Sequence, residues 1–183
     1  MERKAFRQLA IAEFESVYRM AMHLSRHPDQ AADLAQETYL RAFQAEQSFQ
    51  LQDKGVKPWL FRILHNAFYT KIGKQRREPT LMEDLDSEIV AQDLESSSVT
   101  MDIGTLDWDQ IDDRLKHAIE QLPAHYREVL LLWAVEGLKY REIAEVIDVA
   151  LGTVMSRLYR ARTILSDKLV GYAAENRIQI GSD

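Results

Sequence analysis

The chain of 183 residues contains no cysteine and no long apolar run. The absence of cysteine excludes disulfides, thiolate catalysis and cysteine-ligated zinc, and it fits a reducing compartment. The longest uninterrupted apolar segment, Val129 to Val135, is far too short to span a bilayer. The first residues lead into an amphipathic stretch without the apolar core of a signal peptide. We therefore expect an intracellular chain that does not insert into a membrane.

Two neighbouring segments of the chain each carry charge of only one sign. Lys54 to Arg77 holds seven basic residues and no carboxylate, whereas Glu78 to Asp113 holds twelve acidic residues and no Lys or Arg. A second basic segment, Thr153 to Lys168, contains four basic residues against one aspartate. Local fields rather than the total charge of −6 decide where phosphate binds. Two basic segments around an acidic one therefore predict nucleic-acid binding.

The spacing of apolar residues predicts helices and indicates no strand. Helical periodicity covers residues 1 to about 78, with breaks before Pro28 and across the loop Gln50 to Lys57. Periodicity is lost over 79–110, which is acidic and rich in serine, and returns over 111–183. We predict an all-α fold with two small helical domains, 1–78 and 111–183, joined by a flexible acidic linker, 79–110.

The C-terminal helices form the pattern of a helix-turn-helix. A short helix from Tyr140 to Ile147 is followed by a turn over Asp148 to Gly152 and by a long basic helix from Thr153. One face of the long helix is apolar (Val154, Leu158, Ala161, Leu165), and the other is expected to carry Thr153, Met155, Ser156, Tyr159, Arg160 and Thr163. Such a helix fits the major groove of duplex DNA. A plain helical hairpin with solvated arginines is the alternative.

The helix that begins at Pro58 carries a second candidate DNA surface. Arg62, Asn66, Tyr69 and Gly73 follow one another at helical spacing, and Lys54 and Lys57 lie just upstream. Cations interleaved with aromatic residues such as Phe49 suit single-stranded DNA, whose phosphates need charge and whose bases need stacking partners. We assign Trp59, Phe61 and Phe68 to the core. A buried Asn66 that caps a neighbouring helix is the alternative for that residue.

Two groups of motifs resemble the sigma-70 family of bacterial RNA polymerase. Similarity to sigma region 4 rests on LPAHYREVLLL (122–132), EGLKYREIA (136–144) and GTVMSRLYRAR (152–162). Similarity to sigma region 2 rests on DLAQETYLRAF (33–43) and PWLFRILHN (58–66). Both groups occur in the right order around a linker. The chain thus resembles the compact extracytoplasmic-function (group 4) sigma factors over nearly its whole length.

The resemblance implies partners and site residues. It implies an alternative, stress-responsive, cytoplasmic sigma factor without a catalytic site or a cofactor, which directs promoter-specific initiation under the control of an anti-sigma factor. Region 2 would bind the clamp helices of the largest polymerase subunit, and region 4 the flap of the second-largest subunit. The implied polymerase-binding residues are Asp33, Gln36, Glu37, Leu40 and Arg41. The implied minus-ten residues are Phe49, Lys54, Lys57, Arg62, Asn66 and Tyr69, and the implied minus-thirty-five residues are Thr153, Met155, Ser156, Arg157, Tyr159 and Arg160.

Two positions depart from the family pattern. Met155 stands where relatives usually carry Lys or Arg, which weakens one expected DNA contact. Lys139 stands where Ser or Thr often caps the next helix, so we expect a weak cap there.

Two other classes of protein compete with this interpretation. A different transcription regulator with a similar helix-turn-helix would act as a dimer on palindromic sites, but it leaves the region-2-like motif unexplained. A metalloenzyme would use His23 and His27, whose spacing of four can hold a metal on a helix. Those histidines have no third ligand in the sequence, and Pro28 ends the helix there.

Overall fold

The N-terminal half of the protein folds into four helices around one core. The computed structural model describes residues 3–49, 55–75 and 107–175. Helices α1 (Arg3–Ala12), α2 (Phe14–Ser25), α3 (Pro28–Gln44) and α4 (Lys57–Gln75) follow one another, with a short 3-10 turn at Glu46–Ser48. Helix α3 packs between α2 and α4. This order leaves one face of α3 and one face of α4 on the outside of the bundle.

The C-terminal half contains the helix-turn-helix. After a 3-10 turn at Trp108–Gln110 come α5 (Asp113–Glu120), α6 (Ala124–Ala134), α7 (Tyr140–Ile147) and α8 (Leu151–Glu175). Helix α8 packs against α5, α6 and α7. The short α7, the turn after it and the long α8 form the predicted motif. The all-α prediction is confirmed for the residues that the structure describes.

Local chemistry sets where these helices end. Helices α2 and α7 stop at residues in the left-handed conformation, Arg26 (φ 58°) and Asp148 (φ 54°), whose N–H groups donate to Met22 O and Ala144 O. Pro28 then occupies the first position of α3, where its missing N–H costs nothing. Lys139 makes no side-chain cap bond, as expected. Instead, the backbone N–H of Lys139 donates a hydrogen bond to the Glu142 carboxylate at 2.7 Å.

Helix boundaries differ from the sequence expectations by a few residues. The first predicted helix is divided at Glu13 into α1 and α2. Helix α4 begins one residue before Pro58, and α8 begins at Leu151 rather than Thr153. Most of the predicted linker lies outside the described residues. Its last part forms the turn at Trp108–Gln110, and the Trp108 ring packs edge-on against the His23 ring at 4.3 Å.

Buried apolar residues of the two halves form one continuous cluster. The N-terminal half contributes Leu60, Leu64 and Val17 to this cluster. Val129, Ile143 and Val154 lie at its C-terminal end, and α4 packs directly on α7 while α2 packs on α6. The two halves therefore meet along an extensive interface. Within the described ranges no helix has the length and apolar character to cross a membrane.

The fully buried Leu60 side chain should contribute strongly to stability. Truncating a buried leucine removes its transfer free energy and leaves a cavity, so Leu60→Ala should lower the free energy of unfolding by about 2–5 kcal/mol. Leu40→Ala is the matched control, because that side chain is 53% exposed and should cost less than about 0.5 kcal/mol. Urea unfolding followed by circular dichroism measures both. Equal losses would contradict the packing.

Candidate functional site

The outward face of α3 carries the residues implied to bind polymerase. Asp33, Gln36 and Leu40 are exposed. Glu37 and Arg41 are half-buried and form an ion pair of 2.6 Å along the helix, while Asp33 lies 4.0 Å from Lys71 of α4. The inward face is formed by Ala31, Leu34, Ala35, Thr38, Tyr39 and Ala42. The structure therefore gathers all five residues on one polar surface with one large apolar side chain.

The outward face of α4 presents Arg62 and Asn66 to solvent. Exposure of Asn66 shows that this side chain is not a buried helix cap. Both residues line a groove of about 310 Å³ between α4 and the end of α3, together with Arg41, Ala45, Trp59 and Ile63. A cation, an amide and an aromatic edge around an open groove form the kind of surface that binds an unstacked base.

Other predicted minus-ten residues are covered. The Tyr69 hydroxyl donates to Glu128 Oε2 at 3.1 Å, so this side chain is not on the exposed stripe where the sequence placed it. Lys57 lies 3.4 Å from Glu13 and 3.0 Å from Glu136. The Phe49 ring is held in a core aromatic cluster with Phe6 and Trp59, at 5.0 Å and 5.2 Å. Lys54 lies outside the described residues.

Helix α8 buries the predicted apolar face and shows part of the predicted DNA face. Val154, Leu158, Ala161 and Leu165 are buried, as the spacing indicated. Of the implied minus-thirty-five residues Tyr159 is 51% exposed, whereas Thr153, Met155, Arg157 and Arg160 are half-buried. Ser156 was expected on the exposed side but is buried, with its hydroxyl donating to Thr153 O at 3.0 Å. Because this hydrogen bond lies within α8, the Ser156 hydroxyl needs no hydrogen-bond partner from another molecule.

Two arginines outside the predicted set position the helix-turn-helix. The Arg162 guanidinium stacks over the Trp133 ring at 4.4 Å, which restrains an exposed cation beside the predicted DNA face of α8. The buried Arg127 donates to Glu120 O and Leu122 O, both at 2.9 Å, and holds the turn between α5 and α6. Burial and the nearby Arg26 lower the pKa of Arg127 to about 10, which leaves it charged at neutral pH.

Two carboxylates of the C-terminal half join it to the N-terminal half. Glu136 accepts from Arg19 and Lys57, each at 3.0 Å, and Glu128 lies 2.8 Å from His65 Nδ1 as well as bonding Tyr69. Burial, and then the negative charge of Glu128, raises the pKa of Tyr69. Neither glutamate was among the predicted site residues. The signal was available, because Glu128 and Glu136 flank the longest apolar run of the chain.

The two histidines considered as metal ligands have different environments. His23 is buried against Trp108, and its Nε2 atom has no hydrogen-bond partner, whereas His27 is exposed at the start of α3. His23 also borders a groove of about 640 Å³ between α2 and α5. Within the described ranges, no group of three or more histidines, cysteines or acids is placed to hold a metal ion.

Comparison with known proteins supports the two groups of motifs. The Sigma-70 region 2 family matches residues 13–78, and the Sigma-70, region 4 family matches residues 112–165. The chain is 36% identical to the ECF RNA polymerase sigma factor EcfG of Rhodopseudomonas palustris, over 91% of this chain and 86% of that protein. It is 35% identical to ECF sigma factor SigE of Mycolicibacterium smegmatis, over 88% of this chain but only 60% of that relative.

A solved structure has a similar fold. The sigma factor RpoE of Bartonella quintana, crystallised in complex with the anti-sigma factor NepR, is 30% identical with a TM-score of 0.67. The match covers 91% of this chain and 97% of that one. Regions 2 and 4 in one short helical chain define an initiation factor of the sigma-70 type. The chain belongs to the extracytoplasmic-function sigma factors, which are promoter-specificity subunits rather than enzymes.

The buried His23 should make stability depend on pH. Burial, with the charges of Arg127 and Arg19, lowers its pKa from 6.5 to about 4. The unfolded chain therefore binds this proton first as the pH falls. Neutral His23 makes its full contribution to the free energy of unfolding above pH 6.5. Up to about 3 kcal/mol of that free energy is lost as the pH falls from 6.5 to 4.

Urea unfolding between pH 7 and pH 4 measures this loss. His23→Phe keeps a ring against Trp108 but cannot bind the proton, so its stability should fall less over that range. His27→Phe removes an exposed histidine and is the control. Its free energy of unfolding should change with pH as steeply as that of the wild type. Identical slopes for His23→Phe and the wild type would contradict the assignment.

Proposed function

We propose that this sigma factor binds core RNA polymerase through α3, opens and reads the minus-ten element with α4, and reads the minus-thirty-five element with α8. The observation that carries the proposal is that each of the three helices buries one face and presents another face of suitable chemistry. The α3 face (Asp33, Gln36, Glu37, Leu40, Arg41) is the one we assign to the clamp helices of the largest subunit. The C-terminal half contacts the flap of the second-largest subunit.

The α4 face fits an unpaired strand. Arg62 supplies a cation for phosphate, and Asn66 can pair with a base edge beside the groove formed with Trp59. Lys57 and Tyr69 extend this face once their present partners are removed. Phe49 acts from the core of this surface rather than as an exposed stacking ring.

The α8 face fits the major groove of a duplex. Tyr159 is exposed, Arg160 follows it and is half-buried, and Arg162 is exposed and held over Trp133. Arginine in the major groove reads guanine through two parallel hydrogen bonds. Because Ser156 is buried, we propose that it positions the start of α8 and that Tyr159 and Arg160 contact DNA.

An anti-sigma factor is the proposed regulator. The B. quintana relative was crystallised with one, and the match covers nearly all of both chains. The site of action is the cytoplasm, where core polymerase and promoter DNA are found. The inducing signal is proposed to be a stress that releases this partner.

Run-off transcription with purified core polymerase tests the proposal. Addition of the chain should produce transcripts from cognate promoters, and Asp33→Lys with Glu37→Lys should abolish holoenzyme assembly because it reverses the charge of the α3 face. Glu15→Lys with Asp167→Lys is the matched control, since it makes the same charge change at exposed positions on other helices. Helicity should be unchanged in both. Wild-type co-purification of the α3 variant with core would remove this role.

Asn66→Ala should impair promoter opening rather than binding to the upstream element. The side chain is exposed on the proposed single-strand face, so its loss should lower transcription several-fold on duplex promoters. A promoter with a pre-melted minus-ten bubble should restore the opening component. Gln8→Ala, which removes an exposed amide from α1, is the control. Loss of upstream binding without rescue by the bubble would overturn the assignment.

A further inference from the structure

Arg162 is an exposed cation of α8 that is held in place by an aromatic ring. Its guanidinium lies 4.4 Å from the centre of the Trp133 ring of α6. Among the residues that the structure describes, no carboxylate lies within ion-pair distance of this guanidinium. Stacking occupies the flat face of a guanidinium and leaves its N–H donors, which lie in the plane, free to bind an anion. Arg162 is therefore a pre-positioned anion-binding group.

Arg162 continues a stripe of residues that we propose for the minus-thirty-five element. Met155, Tyr159 and Arg162 are spaced four and three apart, so they follow one another along one side of α8. Tyr159 and Arg162 are exposed, and Met155 is half-buried. Met155 brings no charge to its end of the stripe, so Arg162 is the cation that this side of the helix presents.

The two arginines nearer the start of α8 belong to a different stripe. Thr153, Arg157 and Arg160 are also spaced four and three apart, and all three are half-buried. A helix in the major groove, which is about 12 Å wide, lies between the phosphate backbones of the two strands. The two stripes lie on nearly opposite sides of the helix and therefore face different backbones. Arg162 can reach the backbone from which Arg157 and Arg160 point away.

Trp133 also joins α8 to the start of α7. Its ring centroid lies 6.4 Å from that of Tyr140, which is the first residue of α7. In a helix-turn-helix the first helix crosses the DNA backbone, and the second helix enters the groove. Because the start of α7 and Arg162 both pack on the Trp133 ring, Arg162 lies on the side of the motif that meets a backbone rather than base edges.

We propose that Arg162 binds a backbone phosphate of the minus-thirty-five duplex and that Trp133 positions its guanidinium for this contact. The inference rests on the proposed function for the assignment of α8 to that duplex. Stacking on the ring restricts the side chain before DNA binds, so less conformational entropy is lost when the phosphate is bound. Trp133 is a positioning residue, since it acts on DNA through Arg162. A phosphate carries no sequence information, so the contact adds affinity for every duplex alike.

Salt-dependent DNA binding by the holoenzyme tests the role of Arg162. The probes are a labelled promoter duplex and the same duplex with scrambled minus-thirty-five bases. Arg162→Ala should weaken binding to both duplexes by the same factor. Between about 50 and 200 mM salt its affinity should fall about 3-fold less than that of the wild type, because one phosphate contact is missing. Lys168→Ala is the matched control. It removes one positive charge from the same helix, but that ammonium donates to Gln121 at the end of α5, so the wild-type salt dependence should remain.

Replacement of single phosphates by neutral methylphosphonates locates the contact on the DNA. One such replacement beside the minus-thirty-five element should weaken binding by the wild type and by Lys168→Ala. The same replacement should not weaken binding by Arg162→Ala any further, since that variant has already lost the contact. A scan in which every replacement affects Arg162→Ala as much as the wild type would overturn the proposal.

A pair of Trp133 variants tests the positioning role. Trp133→Leu should weaken DNA binding about 2- to 5-fold, which is the size of an exposed cation–π interaction, and it should have no effect when Arg162 is already alanine. Trp133→Phe keeps a ring and should recover part of the affinity. Circular dichroism establishes that every variant is folded. Equal losses from Trp133→Leu with and without Arg162 would show that the ring acts on stability alone.

Two further outcomes distinguish failure of this inference from failure of the proposed function. An unchanged salt dependence for Arg162→Ala would overturn the phosphate contact. Weaker binding of this variant to core polymerase, with unchanged DNA affinity of the assembled holoenzyme, would make Arg162 a protein contact and would also overturn it. The proposed function fails separately. In that case the wild type does not support run-off transcription with core polymerase, whatever the Arg162 and Trp133 variants show.

Discussion

Burial of Glu136 between two cations is the interaction on which the arrangement of the two halves depends. A carboxylate removed from water is costly unless it is paired, and Glu136 is paired with Arg19 of α2 and Lys57 of α4 at once. These partners come from different helices of the N-terminal bundle. One side chain therefore fixes the position of the C-terminal half relative to both.

The second carboxylate makes this orientation specific. Glu128 lies within α6, whereas Glu136 follows the end of that helix, and Glu128 meets His65 and Tyr69 of α4. Two points of attachment define a direction along α4, which is why α7 comes to lie against that helix. Apolar contacts alone are non-directional and would permit sliding. The charged pairs select one register from the surfaces that could pack.

The sequence predicted the helices because their signals are local. Periodic apolar residues, Pro28, Pro123 and the turn at Asp148 specify α3, α6 and the helix-turn-helix without reference to the rest of the chain. The exposed α3 face and Asn66 followed from the same periodicity. Motifs with family resemblance supplied the roles, which no spacing could give.

Two errors in the site came from contacts between distant segments, and a third came from a bond within one helix. Tyr69 shares its helical face with exposed residues, but Glu128, 59 positions away, covers it. Lys57 was assigned only to DNA, although Glu136 is its partner in the folded chain. The helical period placed Ser156 on the exposed side, but the side chain is buried and its hydroxyl donates to a carbonyl of α8. A helical period shows which residues share a face and does not show what lies opposite that face.

The chemistry of this interface also determines what each half would expose if the halves separated. An interface made only of apolar side chains would expose a large apolar patch in the open chain, which favours aggregation. Here the charged residues Arg19, Lys57, Glu128 and Glu136 form part of both separated surfaces and are readily hydrated. Charged residues within the interface therefore give both surfaces a polar component that apolar packing alone would not supply.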